Sequence, residues 1–328
     1  GPAVIRTAQT GRTHDRIPQR SKAFNIYPCI EMNVDRVTPE FDAVLGDHPP
    51  SIDTIDHDLY FGEGPVWDKR EGRFLWTEII GNAIWEYQPG VGSRKLMAPS
   101  AHANGMTFDL DGRLLVAGWS SRSVWRMEHD GTTTVLASQF EGKPLNGPND
   151  IVVRSDGSIY WTDPPGALSI PGMEGHDQQR YLDIQGVYCL TPDGEVHLAI
   201  ADCAYPNGLA FSTDEKLLYV NDTQQGLIRA FDVNADGSVG PGRLFHKQTG
   251  SEEGVADGMK VDINDNVYCT GPGGIHVTNS SGDLIGRLLI PGHCTNIAWG
   301  GGDWTSFYIT TFHTVVRTRL GVPGVAVW

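Results

Sequence analysis

Six segments of the chain begin with a side chain that carries an amide or carboxylate oxygen. These residues are Glu63, Asn104, Asn149, Asn207, Asp257 and Asn296. Such oxygens, without sulfur or imidazole, favour a hard divalent cation, and carboxylates that share one site need a positive charge to neutralise them. If folding brings the segments together, they form a site for one divalent metal ion. Ca²⁺ is the best match, with Mg²⁺, Mn²⁺ or Zn²⁺ as alternatives, and about four protein ligands would leave room on Ca²⁺ for water and substrate.

The spacing of these residues indicates the elements that position them. Successive members lie 39 to 58 residues apart, and each is followed by an apolar strand, as in 206–211 and 217–223. Strands that alternate in polarity and are joined by Asp-Gly turns such as Asp111-Gly112 are typical of antiparallel hairpins. Repeats of this length correspond to four-stranded blades. We therefore predict an all-β, six-bladed β-propeller over 41–328, preceded by an irregular N-terminal arm over 1–40.

In a propeller, the inner strand of each blade lines a central channel, so the six polar residues should face one another. At any single position, the preference of Asn and Asp for turns and caps is as good an explanation as a binding site. Because all six positions are polar, however, the set favours a binding site. Residues 42–58 should add an outer strand that joins the last blade and closes the ring.

Composition narrows the possible partners. The chain has 40 acidic and 25 basic residues, for a formal charge of −15. Such a surface repels nucleic acid and anionic membranes, and no apolar run reaches about 18 residues, so we expect a soluble protein with a small-molecule partner. Five widely spaced cysteines without a C-x-x-C pair should be buried small hydrophobes, which leaves cytoplasm and periplasm both open as compartments. The sequence contains no G-x-S-x-G elbow, P-loop or dinucleotide fingerprint.

Four motifs together resemble the SMP-30/gluconolactonase family of regucalcin-like lactonases. The motifs are 62–67 (GEGPVW), 148–151 (PNDI), 205–209 (YPNGL) and 256–259 (ADGM), and the resemblance extends over about 55–315. It implies a six-bladed propeller that hydrolyses sugar lactones or related esters. It also implies one divalent cation, held by Glu63, Asn149, Asn207 and Asp257, with Asp257 as the general base.

One departure affects substrate recognition. Animal members carry an arginine two residues before the position of Asn149, where it binds the sugar acid, and this chain has Gly147 there. We expect Asn146, Asn104 and His102 to contribute to substrate binding instead. Asp163 either faces the pocket or organises the turn that precedes two prolines.

The expected mechanism combines these parts. The metal polarises the lactone carbonyl, while Asp257 either takes a proton from the attacking water or attacks directly. The segment 145–150 is similar to bacterial gluconolactonases and also to calcium-dependent organophosphate and lactone hydrolases, which gives an alternative substrate class. A second alternative is a protein-binding propeller without catalysis, because 160–163 (YWTD) resembles receptor repeats. That tetrapeptide occurs once here, whereas receptor propellers repeat it.

Overall fold

A computed structural model describes residues 29–169 and 177–328. The expected β-propeller is confirmed: these residues form six antiparallel blades and one two-stranded sheet, with very little helix. The turns follow from the sequence, because a tight turn needs a positive φ that glycine adopts without steric cost. Gly112 and Gly157, each after an aspartate, have φ values of 76° and 91°.

Each blade contains four strands, and the inner strand comes first in the chain. Blade 1 comprises β4 (Gly62–Asp68), β5 (Arg73–Glu78), β6 (Ala83–Gln88) and β7 (Gly92–Met97). Blade 2 comprises β8 (Met106–Phe108), β9 (Leu114–Gly118), β10 (Ser123–Met127) and β11 (Thr133–Ala137). Blade 3 comprises β14 (Ile151–Val153), β15 (Ile159–Thr162), β16 (Val187–Leu190) and β17 (Val196–Ile200).

The second half of the ring repeats this arrangement. Blade 4 comprises β18 (Pro206–Phe211), β19 (Leu217–Asp222), β20 (Leu227–Val233) and β21 (Val239–Lys247). Blade 5 comprises β22 (Met259–Val261), β23 (Val267–Gly271), β24 (Gly274–Thr278) and β25 (Leu284–Leu289). Blade 6 comprises β26 (Cys294–Gly300), β27 (Ser306–Thr311) and β28 (Thr314–Arg319), followed by an outer strand from the start of the chain. A small hairpin, β12 (Gln139–Phe140) and β13 (Lys143–Pro144), and a 3₁₀ helix (Pro165–Leu168) lie outside the blades.

The outer strand of blade 6 is β3 (Ser51–His57), which pairs antiparallel with β28 as predicted. Before it come β1 (Ile30–Glu31), paired with β3, and β2 (Val34–Arg36), paired with β25, and then the helix α1 (Phe41–Leu45). Of the arm predicted over 1–40, residues 1–28 lie outside the described residues, and the remainder includes β1 and β2. This segment therefore extends two blades at their outer edges.

Aromatic side chains fill the spaces between blades. Phe74 is fully buried, and its ring stacks on Tyr308 of blade 6 with centroids 4.1 Å apart. Trp67 stacks on the same tyrosine at 6.0 Å, and Trp76 is 1% exposed. Trp67 and Trp76 thus pack where blades 1 and 6 meet. Of the five cysteines, three are buried, one is partly buried, Cys29 is exposed, and none forms a disulfide.

The inner strands of neighbouring blades touch at their first residues. The Gly105 N–H donates to the Asn149 carbonyl at 2.8 Å, and the Gly208 N–H donates to the Asp257 carbonyl at 2.8 Å. A Cβ atom on Gly208 would lie 2.2 Å from that carbonyl oxygen, so this contact requires glycine. The N-G and D-G dipeptides therefore bring the predicted site residues of adjacent blades together.

The C-terminal segment crosses the opposite mouth of the channel. Gly324 pairs with Asp262 at the end of β22, and the Trp328 indole donates to the Val153 carbonyl at the end of β14. Between this segment and the first residues of the inner strands lies a cavity of about 340 Å³. The polar residues are therefore reached from the other face. Among the described residues, no helix is long and apolar enough to span a membrane.

Candidate functional site

Glu63 and Asp257 form a buried carboxyl pair at the open mouth of the channel. Glu63 is 2% exposed, and its Oε2 accepts hydrogen bonds from the Asn296 carboxamide at 2.9 Å and from the Gly64 N–H at 2.5 Å. The negative charge of Glu63 acts on the Asp257 carboxyl group and raises its pKa. Blades 1, 5 and 6 thus meet at one acidic point.

The backbone of Asp257 is fixed from three sides. Its N–H donates to Thr270 Oγ1 at 2.9 Å, and that hydroxyl donates to the Val255 carbonyl at 3.0 Å. Its carbonyl accepts the Gly208 N–H and, at 2.6 Å, the Asn221 carboxamide. Because the peptide groups are all paired, the carboxyl group is held at the channel with little freedom to move.

The pKa values of this pair reflect its surroundings. Burial, followed by repulsion from Asp150, raises the pKa of Glu63 to about 7. Burial, followed by repulsion from Glu63 and Asp150, raises the pKa of Asp257 well above its ordinary value. Like-charged groups in a desolvated site hold protons unless a cation neutralises them. The site therefore has the electrostatic character of a cation-binding centre.

Carboxamides beside the pair offer further oxygens. The Asn207 Nδ2 donates to Thr223 Oγ1 at 3.0 Å, whereas its Oδ1 is buried without a hydrogen-bond partner. The Asn207 side chain also lowers the pKa of Asp257, against the larger effects of burial and of the neighbouring carboxylates. Asn104 Oδ1 is likewise buried and unpartnered. Asn149 is 4% exposed and precedes Asp150, whose charge acts on both carboxyl groups of the pair.

These observations fit the predicted divalent ion. The described residues hold no cluster of three or more His, Cys, Asp or Glu side chains that could bind a metal ion. The carboxamide oxygens of Asn149 and Asn207 would therefore complete the set begun by Glu63 and Asp257. Two carboxylates and two amide oxygens are hard ligands that suit Ca²⁺. The ligand set itself stays a prediction.

The sixth repeat is displaced by one residue from its expected register. The Gly258 N–H donates to the Thr295 carbonyl at 2.7 Å, which makes Thr295 the equivalent of Asn149 and Asp257. The interpretation of Asn296 as that equivalent was wrong, because Asn296 occupies the next position, which Gly258 holds in blade 5 and Asp150 in blade 3. Asn296 still reaches the site, because its carboxamide donates to Glu63.

Asn146 and Asp163 form a buried support beneath the loop that leads to Asn149. Both are 0% exposed, and the Asp163 carboxylate accepts the N–H groups of Asn146 at 2.8 Å and Gly147 at 2.9 Å. The Asn146 carboxamide donates to the carbonyls of Asp163 and Ile184. Burial raises the pKa of Asp163 to about 7, against these two hydrogen bonds and the charge of Arg122. Asp163 thus braces the loop before Asn149 rather than the turn that follows Asp163 itself, and its contribution to substrate binding stays a prediction.

His102 lies apart from the acidic pair. Its Nδ1 is 2.7 Å from the Ile79 carbonyl oxygen, and its N–H donates to Asn82 Oδ1. It lines a cavity of about 750 Å³ between blades 1 and 2, with Ser100 and Trp125, and none of the four predicted ligands lines that cavity. Its proposed contribution to substrate binding has no supporting contact among the described residues.

Two charged residues near the site were not predicted. Asp150 is 2% exposed, and its Oδ2 lies 3.7 Å from Lys260 Nζ. Both charges act on Glu63. A signal existed in the repeat, since Asp150 stands where Gly64, Gly105 and other repeats have glycine.

Comparison with known proteins places this geometry in a family. A family model described as SMP-30/Gluconolactonase/LRE-like region matches residues 61–313, which include every predicted ligand. The chain belongs to this family. Among curated family members, a gluconolactonase from Zymomonas mobilis is 30% identical over 310 residues, covering 87% of this chain and 85% of that protein. A pentonolactonase from Haloferax volcanii is 25% identical over 260 residues, covering 78% and 83%.

Solved structures of the SMP-30/gluconolactonase family agree with the fold. A gluconolactonase from Xanthomonas campestris superposes with a TM-score of 0.83 at 29% identity, covering 91% of this chain and 99% of that chain. The family resemblance drawn from four motifs and the six-bladed propeller are both confirmed.

Proposed function

We propose that this protein is a metal-dependent hydrolase that opens sugar lactones. The observation that carries the proposal is the pair of buried carboxyl groups, Glu63 and Asp257, whose charges act on each other beside the unpartnered Asn207 Oδ1. Relatives named gluconolactonase and pentonolactonase support the substrate class. Glu63, Asn149, Asn207 and Asp257 would hold one divalent cation, with Ca²⁺ the first candidate.

When bound, the cation supplies Lewis-acid activation of the lactone carbonyl. Asp257 acts as general base: its carboxylate accepts a proton from the water that attacks the carbonyl carbon, the ring C–O bond breaks, and the ring oxygen takes up a proton to give a hydroxy acid. The Asn207 carboxamide lowers the pKa of Asp257 and so favours the carboxylate form that a general base needs. The backbone bonds to Thr270 and Asn221 keep Asp257 from swinging away.

Gly147 has no side chain, so it cannot bind the substrate through a positive charge as an arginine at this position would. Its missing side chain is also structural, because a Cβ there would lie 2.6 Å from the Ala167 side chain. We therefore expect neutral sugar lactones to be recognised through carboxamides, with Asn104 Oδ1 available as an acceptor.

The test is hydrolysis of glucono-1,5-lactone, followed as acid release in weak buffer. Chelator-treated protein is compared with the same protein after Ca²⁺, Mg²⁺, Mn²⁺ or Zn²⁺ is restored, and Asp193→Asn, at an exposed turn, is the control for Asp257→Asn. We expect turnover that depends on the ion and is lost only in Asp257→Asn. Ion binding without turnover would redirect the proposal to other lactones, esters or organophosphates. Absence of ion binding would refute the metal site.

A second experiment separates the base from a nucleophile. In a single turnover in H₂¹⁸O, a general base leads to ¹⁸O in the product carboxylate. Direct attack by Asp257 breaks the ring C–O bond and forms an anhydride between Asp257 and the sugar acid. Water that opens this anhydride at the Asp257 carbon leaves the label on Asp257 and an unlabelled protein oxygen in the first product, so label on Asp257 identifies direct attack. Mass spectrometry of both product and protein distinguishes the two.

A further inference from the structure

Lys260 is a cation in an otherwise neutral ring of the channel wall. It lies three residues after Asp257 on the inner strand of blade 5, and its side chain lines the 340 Å³ cavity. The corresponding residues of the other inner strands, all of which line the same cavity, are Val66, Thr107, Val152, Ala210 and Ala298. A lysine at this depth loses hydration, so it needs a specific partner.

Asp150 is that partner. It is 2% exposed, and its Oδ1 accepts the Ile151 N–H at 2.9 Å. Its Oδ2 has no hydrogen-bond partner and lies 3.7 Å from Lys260 Nζ, which also donates to the Met259 carbonyl at 3.0 Å. In four other repeats the equivalent residue is a glycine. The Asp150–Lys260 pair therefore joins blade 3 to blade 5 across the channel, beneath the acidic site.

The pair determines the total charge beside the predicted metal site. Glu63, Asp150 and Asp257 carry three negative charges when ionised, and Lys260 carries one positive charge. Two negative charges remain, which one divalent ion neutralises. Without Lys260, three would remain, and a trivalent ion would be the better match.

We propose that Lys260, by neutralising Asp150, fixes the charge of the ion that this site accepts and selects divalent over trivalent ions. Lys260 acts through Asp150 and the field in the channel, so it is a positioning residue and does not touch the ion. The inference rests on the proposed metal site but concerns a different pair of residues. It applies to the interior of the channel, where solvent screens charges far less than at the surface.

The test compares ion affinities by isothermal titration calorimetry, with CaCl₂ and TbCl₃ as probes. The variants are Lys260→Met, Asp150→Asn and the double variant. Lys143→Met, which removes an exposed lysine from β13, is the matched control. In Lys260→Met we expect the ratio of Tb³⁺ to Ca²⁺ affinity to rise about tenfold, the effect of one unit charge across an interior with an effective dielectric constant of about 20.

The double variant restores the original charge, so its affinity ratio should return to within about threefold of the unmodified protein. Asp150→Asn alone should lower the ratio, because Lys260 is then unopposed. If Lys260→Met does not fold, Asp150→Asn is compared with the double variant instead. The ratio of Tb³⁺ to Ca²⁺ affinity must then be about tenfold higher in the double variant.

An unchanged ratio in Lys260→Met, or the same rise in Lys143→Met, overturns the inference while leaving the metal site intact. Failure of the unmodified protein to bind either ion overturns the proposed metal site, and this inference with it.

Discussion

Replacing Asp163 by asparagine tests how a buried carboxylate supports the site loop. The carboxylate is 0% exposed and accepts two backbone N–H groups, those of Asn146 and Gly147. Burial raises its pKa to about 7, against an ordinary value of 3.8. A group whose pKa is raised on folding stabilises the fold fully below its unfolded pKa, and that contribution is lost as the pH rises through the folded pKa.

The two pKa values differ by about a thousandfold in proton affinity, and each factor of ten corresponds to about 1.4 kcal/mol. The stability of the unmodified protein relative to Asp163→Asn should therefore fall by up to about 4 kcal/mol between about pH 4 and pH 7 and then level off. Asparagine does not titrate, so the contributions of the other titratable groups cancel when the free energy of unfolding of the variant is subtracted from that of the unmodified protein. At pH 8 the variant keeps one acceptor oxygen and leaves one buried N–H without a partner, which costs about 1–3 kcal/mol.

The assay is urea unfolding monitored by tryptophan fluorescence at pH 4, 5, 6, 7 and 8. Asp214→Asn is the matched control, because hydrogen bonds to Lys216 and Ser212 lower the pKa of Asp214 to about 2. Its stabilising effect is present above the unfolded pKa and lost as the pH falls, which is the opposite sign. A stability difference between the unmodified protein and Asp163→Asn that is flat from pH 4 to 7 would refute the reasoning.

Three further substitutions have distinct expected outcomes. Asp257→Asn should lower kcat about 10²- to 10⁴-fold in the acid-release assay while leaving the melting temperature equal or higher, since a buried like-charge repulsion is removed; full turnover would exclude Asp257 as base. Gly208→Ala should cost about 1–3 kcal/mol in urea unfolding, because its Cβ would meet the Asp257 carbonyl oxygen at 2.2 Å, whereas Gly302→Ala, with no atom within 4 Å, should be neutral; equal effects would contradict the close-approach argument. Phe74→Ala should cost about 3–5 kcal/mol by removing a fully buried ring stacked on Tyr308, and a loss below about 1 kcal/mol would show that blades 1 and 6 do not depend on this contact.

The fold was predictable because its signals are local. Alternating strands and Asp-Gly turns identify each hairpin without reference to the rest of the chain, and the repeat converts one blade into six. The pairing of β3 with β28 followed from the need to complete the last blade. By contrast, β1, β2 and α1 were not predicted, because two- and three-residue strands are defined by their partners and have no pattern of their own.

Within the site, the predicted Glu63, Asp257 and Asn207 side chains come together, since glycines beside them allow neighbouring inner strands to touch. The register of Asn296 was missed because the sixth repeat has threonine at the compared position and asparagine at the next one, where four other repeats have glycine. Asp150 and Lys260 were missed for a different reason: only the first residue of each inner strand was compared. Asp150 lies one residue and Lys260 three residues after that position, so comparing the next three residues of every repeat would have found both.

The pairing of β3 with β28 also affects the order of events during synthesis. Arg317 on β28 donates to Asp53 on β3 at 2.8 Å across 264 residues of sequence. While the ribosome makes the intervening blades, β3 has β1 on one edge but lacks β28 on the other, and that exposed edge could pair with another chain. The contact between β3, the earliest blade strand of the described chain, and β28, the latest, is therefore the last to form. Nascent chains stalled before residue 314 should consequently be far more prone to aggregation than chains released beyond residue 319.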